Sequence, residues 1–175
     1  MGVSYSCEKD GRTAMCRIKN ENKEHPIEGV ITFHQCAPTH PVTVRFKLKG
    51  KEKATHAIHI HHYGQSKNNT CKELGLHFNP YGSPHGSMRY HTPRHMGDLI
   101  NNIHFDWKGD FNFEYNDEIL NLYNILEYSI IGRSVVIHAK EDDLGQGNNE
   151  ESLISGNAGE RIACAPIAWC ENEHI

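Results

Sequence analysis

The sequence predicts an all-β protein, an antiparallel sandwich or barrel of about eight strands with two long functional loops. Short runs alternate apolar and polar residues, most clearly at 42–48, which is the period of a half-buried strand. Clusters of Gly, Pro, Asn and Lys separate these runs and predict turns. Two stretches, 64–98 and 140–160, lack apolar periodicity and are rich in Gly, Asn, His and charge. Loops this long inside a compact domain are usually functional.

The predicted strands follow one another along the chain with short spacing. They lie at 14–18, 30–33, 42–48, 57–61, 111–115, 134–138 and 162–168. The segment 117–128 suits either a short helix or a strand and turn, because its apolar residues fit both periods. The sequence contains no internal repeat, and 175 residues is the length of one domain.

Composition narrows the classes of partner. The formal net charge is −4, so no basic surplus is present for nucleic acid or an anionic membrane. No apolar run approaches the roughly 18 residues of a spanning helix, and the first residues are polar. We therefore expect a cytoplasmic protein without a nucleic-acid or membrane partner. The unusual feature is the count of 14 histidines, since histidine is the commonest metal ligand.

Several of these histidines have positions that suit a metal site. His59 and His61 lie two apart on a predicted strand, so their side chains leave the same face. His138 ends an apolar run, where a core histidine bonded to a carbonyl is the alternative. The first long loop adds His77, His85, His91, His95 and Asp98. Mixed nitrogen and oxygen ligands suit zinc and histidines alone suit copper, but spacing does not assign each ligand to an ion.

Six segments of the chain resemble, in order, the metal-binding stretches of copper–zinc superoxide dismutases. They lie at 56–64, 75–80, 94–99, 130–138, 142–145 and 156–164. Six linked motifs in order are a specific signal. The resemblance implies an eight-stranded, immunoglobulin-like Greek-key domain at 14–170. It also implies an N-terminal extension at 1–13 and a tail at 171–175.

The resemblance implies one copper and one zinc ion per subunit, bridged through His77. The implied copper ligands are His59, His61, His77 and His138. The implied zinc ligands are His77, His85, His95 and Asp98. Asp142 resembles the carboxylate that links a copper-ligand histidine, His59, to a zinc-ligand one, His85. His62 and His91 fall outside the pattern.

The implied reaction converts superoxide to oxygen and hydrogen peroxide as copper alternates between its two oxidation states. Arg161 and His77 are the implied catalytic residues, the first holding the anion and the second carrying a proton. Lys140 and Arg161 would form part of a positive funnel flanked by Glu150 and Glu151. Ile154 stands where many relatives carry a lysine, so we expect a weaker dependence of the rate on ionic strength.

The remaining implications concern cysteines and partners. Cys71 and Cys164 resemble the intrasubunit disulfide of the family. The other four cysteines are then expected to be free thiols: Cys7, Cys16, Cys36 and Cys170. Cys7, in the N-terminal extension, could form a disulfide with another cysteine. A homodimer is expected through an apolar patch formed by Tyr63, Gly64, Ile131, Gly132, Ile167 and Trp169. A copper chaperone is a possible partner that is not required, because 161–164 lacks a proline that some relatives carry.

Three other interpretations compete with an active dismutase. An inactive relative that binds metal or a copper chaperone would be expected to lose a copper ligand or the arginine, and all are present. A zinc hydrolase needs an open zinc position and a general base, whereas the predicted zinc set already has four ligands. A purely structural sandwich leaves the ordered motifs unexplained.

Overall fold

The computed structural model describes residues 11–20, 22–66, 68, 70–90, 93–123 and 127–170. Nine strand segments lie in this part of the chain. They are β1 (Arg12–Lys19), β2 (Ile27–Gln35), β3 (Val42–Gly50), β4 (Thr55–His61), β5 (Asn102–His104), β6 (Asp110–Asp117), β7 (Ser134–His138), β8 (Arg161–Pro166) and β9 (Ala168–Trp169). Helical structure among the described residues is limited to α1 (Glu150–Ser155) and two single 3₁₀ turns, Met88–Tyr90 and Met96–Asp98.

The strands form two sheets whose pairs are all antiparallel. One sheet has the order β6-β3-β2-β1-β9 and the other the order β5-β4-β7-β8. The neighbours β3 and β6, and likewise β4 and β7, are joined by long connections, which is the mark of a Greek key. The predicted all-β sandwich is confirmed.

The last predicted strand is cut in two at Ile167. β8 pairs with β7 in one sheet, whereas β9 pairs with β1 in the other. Pro166 has no backbone N–H to continue the ladder, and the N–H of Ile167 turns to donate to the carbonyl of Arg133. The nine segments are therefore eight strands, the last of them shared between the sheets. The short β5 was not predicted.

The core lies between the sheets and fixes which side of each strand faces the site. Along β3, the apolar residues are buried and the residues between them are at least partly exposed. β4 differs because residues 56–61 are all buried. Ile58 and Ile60 point into the core, so the alternating His59 and His61 point away from it and are covered by the long loops.

Both long loops lie where they were predicted, between β4 and β5 and between β7 and β8, and the second of them contains α1. The described residues of 117–128 form no helix, which leaves the strand-and-turn alternative for that segment. Within the described ranges, we find no helix with the length and apolarity needed to span a membrane.

Cys71 and Cys164 are joined by a disulfide across a sequence separation of 93, as predicted. Cys16 and Cys170 are free, also as predicted. Cys36, however, is disulfide-bonded, so its prediction as a free thiol is wrong. Arg12 pairs with Gln35, so the chain enters β1 beside Cys36, which the sequence pattern did not reveal. Cys7 lies outside the described residues.

Candidate metal centre

Two neighbouring strands bring three histidines together. His59 and His61 lie on the outer face of β4, and His138 ends β7, the strand paired with β4. The backbone of His77, in the first long loop, forms an isolated antiparallel β-bridge with the backbone of His61. One ring nitrogen from each of these four buried residues lies within 4.8 Å of the others, and we call this set the four-histidine cluster.

Hydrogen bonds fix which nitrogen each ring presents to this cluster. The Nδ1–H of His61 donates to the carbonyl of Gly75 at 2.9 Å, and that of His138 donates to Gly159 at 3.1 Å. The Nε2–H of His59 donates to Asp142 Oδ2 at 2.7 Å. In a neutral imidazole the other nitrogen then carries a lone pair and no proton.

These lone pairs face one another without a donor between them. Nε2 of His61 and Nε2 of His138 are 3.3 Å apart. Nδ1 of His59 and Nε2 of His77 are buried with no hydrogen-bond partner. Buried polar atoms are normally satisfied, so four inward lone pairs indicate a cation-binding site. A site built of imidazoles alone suits copper.

The second cluster contains the carboxylate of Asp98 and three imidazoles. Nδ1 of His77 and Nδ1 of His85 each lie 2.9 Å from Asp98 Oδ1, and Nδ1 of His95 lies 3.1 Å from it. Nδ1 of His95 and Nδ1 of His77 are 3.4 Å apart. Zinc bonds of about 2.0–2.1 Å place tetrahedral ligand atoms roughly 3.3 Å apart, so this three-histidine, one-aspartate cluster fits zinc.

The other oxygen of Asp98 holds the carboxylate in place. Asp98 Oδ2 accepts the backbone N–H of Gly86 at 3.0 Å and that of His95 at 2.9 Å. Burial alone would disfavour the carboxylate. Hydrogen bonds from the surrounding imidazoles outweigh burial and hold the pKa of Asp98 well below its usual range. The cluster therefore offers an anionic oxygen.

His77 belongs to both clusters. Its Nδ1 lies in the three-histidine, one-aspartate cluster and its Nε2 points into the four-histidine cluster. Burial lowers the pKa of His77, which favours the neutral ring that a metal requires. A single imidazole can therefore connect two ions.

Asp142 joins the two clusters a second time. Its Oδ2 accepts from His59 Nε2, and its Oδ1 accepts from His85 Nε2 at 2.9 Å. Burial opposes the charged form, but the hydrogen bonds from both histidines hold the pKa of Asp142 below its usual range. Both imidazoles are thereby fixed in orientation.

Two asparagines that the sequence analysis missed hold Asp142. Asn101 donates from Nδ2 to Asp142 Oδ2 at 2.9 Å and to the carbonyl of Gly86 at the same distance. Asn102 exchanges two hydrogen bonds with the backbone of Asp142. Asn101 has a φ of 62°, a conformation in which Asn is enriched. The signal in the sequence was an Asn-Asn pair, of which Asn102 is the first residue of β5.

Arg161 is held by backbone carbonyls of the loop that contains His77. Its Nη1 donates to Cys71 and Lys72 at 3.1 Å each, and its Nη2 donates to Gly75 at 2.6 Å. His61 donates to that same Gly75 carbonyl, so the guanidinium lies beside the four-histidine cluster. The disulfide between Cys71 and Cys164 closes this region.

The predicted steering residues lie on the second long loop. Lys140 is exposed, and its aliphatic chain packs near Gly159. Glu150 and Glu151 are exposed in the first turn of α1. The backbone N–H of His85 donates to the carbonyl of Leu153 at 3.1 Å, which anchors α1 beside the three-histidine, one-aspartate cluster.

The predicted dimer residues lie near one another but differ in exposure. A Cβ on Gly64 would be 2.1 Å from the carbonyl of Gly132, and the N–H of Gly132 donates to Ile167. Tyr63 is 56% exposed and Trp169 is 46% exposed. Ile167 is buried within its own chain, so it is not an exposed apolar residue. Ile131 is half-buried.

His62, which falls outside the sequence pattern, contributes to neither cluster. His62 is exposed on the surface and its carbonyl accepts from Arg133. His91 lies outside the described residues.

Comparison with known proteins gives one consistent family. The family model described as copper/zinc superoxide dismutase matches residues 27–167. Superoxide dismutase [Cu-Zn] of Schizosaccharomyces pombe is 44% identical over 155 residues, which cover 88% of this chain and 96% of the relative. Superoxide dismutase [Cu-Zn] 5 of Dictyostelium discoideum is 40% identical over 157 residues, 89% of this chain and 97% of the relative. Superoxide dismutase [Cu-Zn] of Saccharomyces cerevisiae is 41% identical over 142 residues, 81% and 89% of the respective chains.

Proposed function

The chain belongs to the copper/zinc superoxide dismutase family, and from this premise we propose that its two clusters bind copper and zinc and dismutate superoxide. The chain is thus an oxidoreductase, and nothing in its site favours an inactive relative. The observation that carries the residue assignments is His77, whose two nitrogens belong to different clusters. Copper would be held by His59, His61, His77 and His138. Zinc would be held by His77, His85, His95 and Asp98.

The metals supply what the side chains lack: copper changes between two oxidation states, and zinc is a redox-inert charge. Arg161 supplies the substrate site. Its guanidinium stays charged, and three carbonyl acceptors on the loop hold its fork in one orientation beside the four-histidine cluster. A small anion such as superoxide would be held there against the copper position.

His77 is proposed to carry the proton that peroxide needs. Its Nδ1 belongs to the three-histidine, one-aspartate cluster, so Nε2 is the atom at which a proton can be held and passed on. This atom points into the four-histidine cluster, where the substrate would react. Burial of the ring keeps the proton from exchanging freely with bulk water.

The test is metal content and dismutase activity of protein reconstituted with copper and zinc. The wild-type protein should bind one of each ion and consume superoxide. His138→Ala should lose copper and activity and retain zinc, because His138 belongs to the four-histidine cluster alone. His62→Ala, a neighbouring histidine in neither cluster, is the matched control and should retain both ions. Fully metallated wild-type protein that left superoxide untouched would refute the proposal.

A homodimer is proposed through the face that contains Tyr63, Gly64, Ile131, Gly132, Ile167 and Trp169. Its support is the exposure of two large aromatic side chains, Tyr63 and Trp169. Trp169→Glu should shift sedimentation toward monomer. Trp107→Glu, at a position that is 67% exposed elsewhere on the chain, should not.

Three further proposals are that Lys140, Glu150 and Glu151 steer the substrate, that the protein is cytoplasmic, and that copper is loaded without a chaperone. Cell fractionation tests the location. Activity of protein expressed in a host that lacks the copper chaperone tests the loading.

A further inference from the structure

His25 and His56 form a pair of histidines that belongs to neither metal cluster. His25 lies in the connection between β1 and β2, and His56 is the second residue of β4. Their ring centroids are 5.3 Å apart, and the ring planes meet at 84°. His56 is only 3% exposed, whereas His25 is half-buried. The pair therefore lies at the edge of the core, and His25 forms its side toward solvent.

One ring nitrogen of His56 is buried without a partner. The Nδ1–H of His56 donates to the carbonyl of His138 at 3.0 Å, so a neutral ring carries its lone pair on Nε2. Nε2 is buried and has no hydrogen-bond partner, as is true of Nδ1 of His59 and Nε2 of His77 in the four-histidine cluster. Buried polar atoms are normally satisfied, so this lone pair indicates a site for a cation.

The spacing of the two rings fits two ligands of one ion. Imidazoles that bind an ion at 2.0–2.1 Å from adjacent tetrahedral positions have ring centroids roughly 5 Å apart. The three rings of the three-histidine, one-aspartate cluster are 5.3, 5.4 and 5.5 Å apart, with planes at 67°, 86° and 57°. The distance and the angle between His25 and His56 both fall within these ranges.

Asn20 fixes the connection that presents His25. Its Nδ2 donates to the carbonyl of His25 at 2.8 Å and to that of Ile162, in β8, at 3.1 Å. Its Oδ1 accepts the backbone N–H of Ile27 at 2.9 Å. Pro26 follows His25 and restricts the backbone before it. Since this backbone is already ordered, binding an ion would cost little conformational freedom there.

We propose that His25 and His56 form a third metal site, which takes Zn²⁺ or another divalent cation that prefers imidazole and fills its remaining positions with water. Lys51 acts on His56 as a neighbouring positive charge. Among the described residues, no carboxylate joins this pair as Asp98 joins its three histidines. The third site therefore binds its ion more weakly than either cluster and exchanges it with solvent. The proposal does not depend on dismutase activity.

Isothermal titration with Zn²⁺ of protein already loaded with copper and zinc tests the site. Wild-type protein should bind one further equivalent. His25→Ala should weaken that binding by at least about tenfold, which is the smallest usual cost of losing even a residue that orients a ligand. Lys51→Gln should tighten it, because a repelling charge is removed. Absence of a further equivalent in the wild type, or equal affinity in His25→Ala, would overturn the proposal.

His104→Ala is the matched control. His104 is an exposed histidine of β5, the strand paired with β4, and its ring contacts the hydroxyl of Thr55. Its loss should leave the affinity for the further Zn²⁺ unchanged. A loss equal to that in His25→Ala would mean that Zn²⁺ binds surface histidines without preference, and would also overturn the proposal.

Imidazole ¹H–¹⁵N NMR of the protein with its copper reduced identifies the ligand atoms without any substitution. Zn²⁺ should shift Nε2 of His56 and a ring nitrogen of His25. It should leave Nδ1 of His56 protonated, because that nitrogen keeps its hydrogen bond to His138. An unmoved His56 Nε2 at saturating Zn²⁺ would refute its assignment as a ligand.

Discussion

Gly156 lies against the carboxylate of Asp142, so closely that a Cβ at position 156 would be 2.0 Å from Asp142 Oδ1. The same Cβ would be 2.7 Å from His85 Nε2, the atom that Asp142 orients. Gly156 caps α1 with a φ of 66°, a conformation that L residues rarely adopt. The absence of a side chain therefore lets the helix end pack on the connection between the two clusters.

Gly156→Ala should displace Asp142 and weaken zinc binding by about 10–100-fold, the usual cost of disturbing a residue that orients a ligand. Gly82→Ala is the matched control. Gly82 has a similar φ of 63°, but nothing lies within 4 Å of its Cβ position. Competition with a chromophoric chelator measures the affinity. Equal zinc affinities in the two variants would contradict a role for the contact between Gly156 and Asp142.

Asp142→Asn should weaken both metals, because the two oxygens of Asp142 accept from different histidines. The amide keeps one acceptor and presents N–H to the other imidazole, which leaves His59 or His85 unoriented. We expect about a 10–100-fold loss of affinity.

Asp143→Asn is the control for Asp142→Asn. Asp143 organises the same loop through Ser152 and Asn157 but contacts neither cluster. It should retain metal affinity within a few-fold. Isothermal titration of metal-free protein with each ion measures both variants, and equal losses would contradict a specific role for Asp142.

The sequence predicts the parts of this structure that depend on local period. Alternation at 42–48 predicted β3, because a half-buried strand repeats every two residues. The ligand sets came from ordered motifs, since the convergence of His59 and His85 depends on loops that no local rule describes. The role of Asn101 was not predicted, because it depends on contact with Asp142, 41 positions away in the sequence.

Two other features were also set by distant contacts. The break at Ile167 follows from the turn of its N–H toward Arg133 in another strand. The disulfide bond of Cys36 depends on which cysteine lies near it in the folded chain, and not on the residues beside it in the sequence. Both are properties of packing between segments, which the periodicity of a single segment does not contain.

Asp117→Ala should destabilise the protein by about 3–5 kcal/mol, because it leaves Arg94 buried without its partner. Arg94 Nη2 donates to Asp117 Oδ1 at 2.8 Å, and Asp117 is fully buried. Urea unfolding of metal-free protein measures the free energy. Arg94→Met combined with Asp117→Ala should recover part of the loss.

Glu114→Gln provides the reference for that ion pair. Glu114 pairs with Arg45 on the surface, where both side chains are about half exposed. Its loss should cost less than about 1 kcal/mol. A comparable cost at both positions would mean that burial does not decide the strength of the Arg94–Asp117 pair.

Cys16 should resist alkylation in the folded protein across the alkaline range. Burial raises its pKa to about 12, whereas an unfolded thiol has a pKa near 8.5. The thiol form is thus favoured by folding, and this contribution is complete below about pH 8.5 and lost as pH rises toward 12. At pH 9, iodoacetamide should label the partly exposed Cys170 and spare Cys16, as read by mass spectrometry. Both should react in urea, and native labelling of Cys16 at the rate of Cys170 would contradict its burial.

Ile154→Lys should raise the rate of superoxide consumption at low salt and make its decline with ionic strength steeper. Ile154 is 38% exposed on α1, whose first turn carries Glu150 and Glu151, and the net charge of the chain is −4. An added cation here acts on an anionic substrate over a Debye length of about 30 Å at 0.01 M salt, which falls to about 8 Å at 0.15 M. Ile154→Gln changes polarity without charge and should leave the salt slope unchanged. Stopped-flow rates across that range of salt concentration separate electrostatic steering from a change in loop structure. A gain in rate that persists at high salt, or that Ile154→Gln reproduces, would have to come from loop structure.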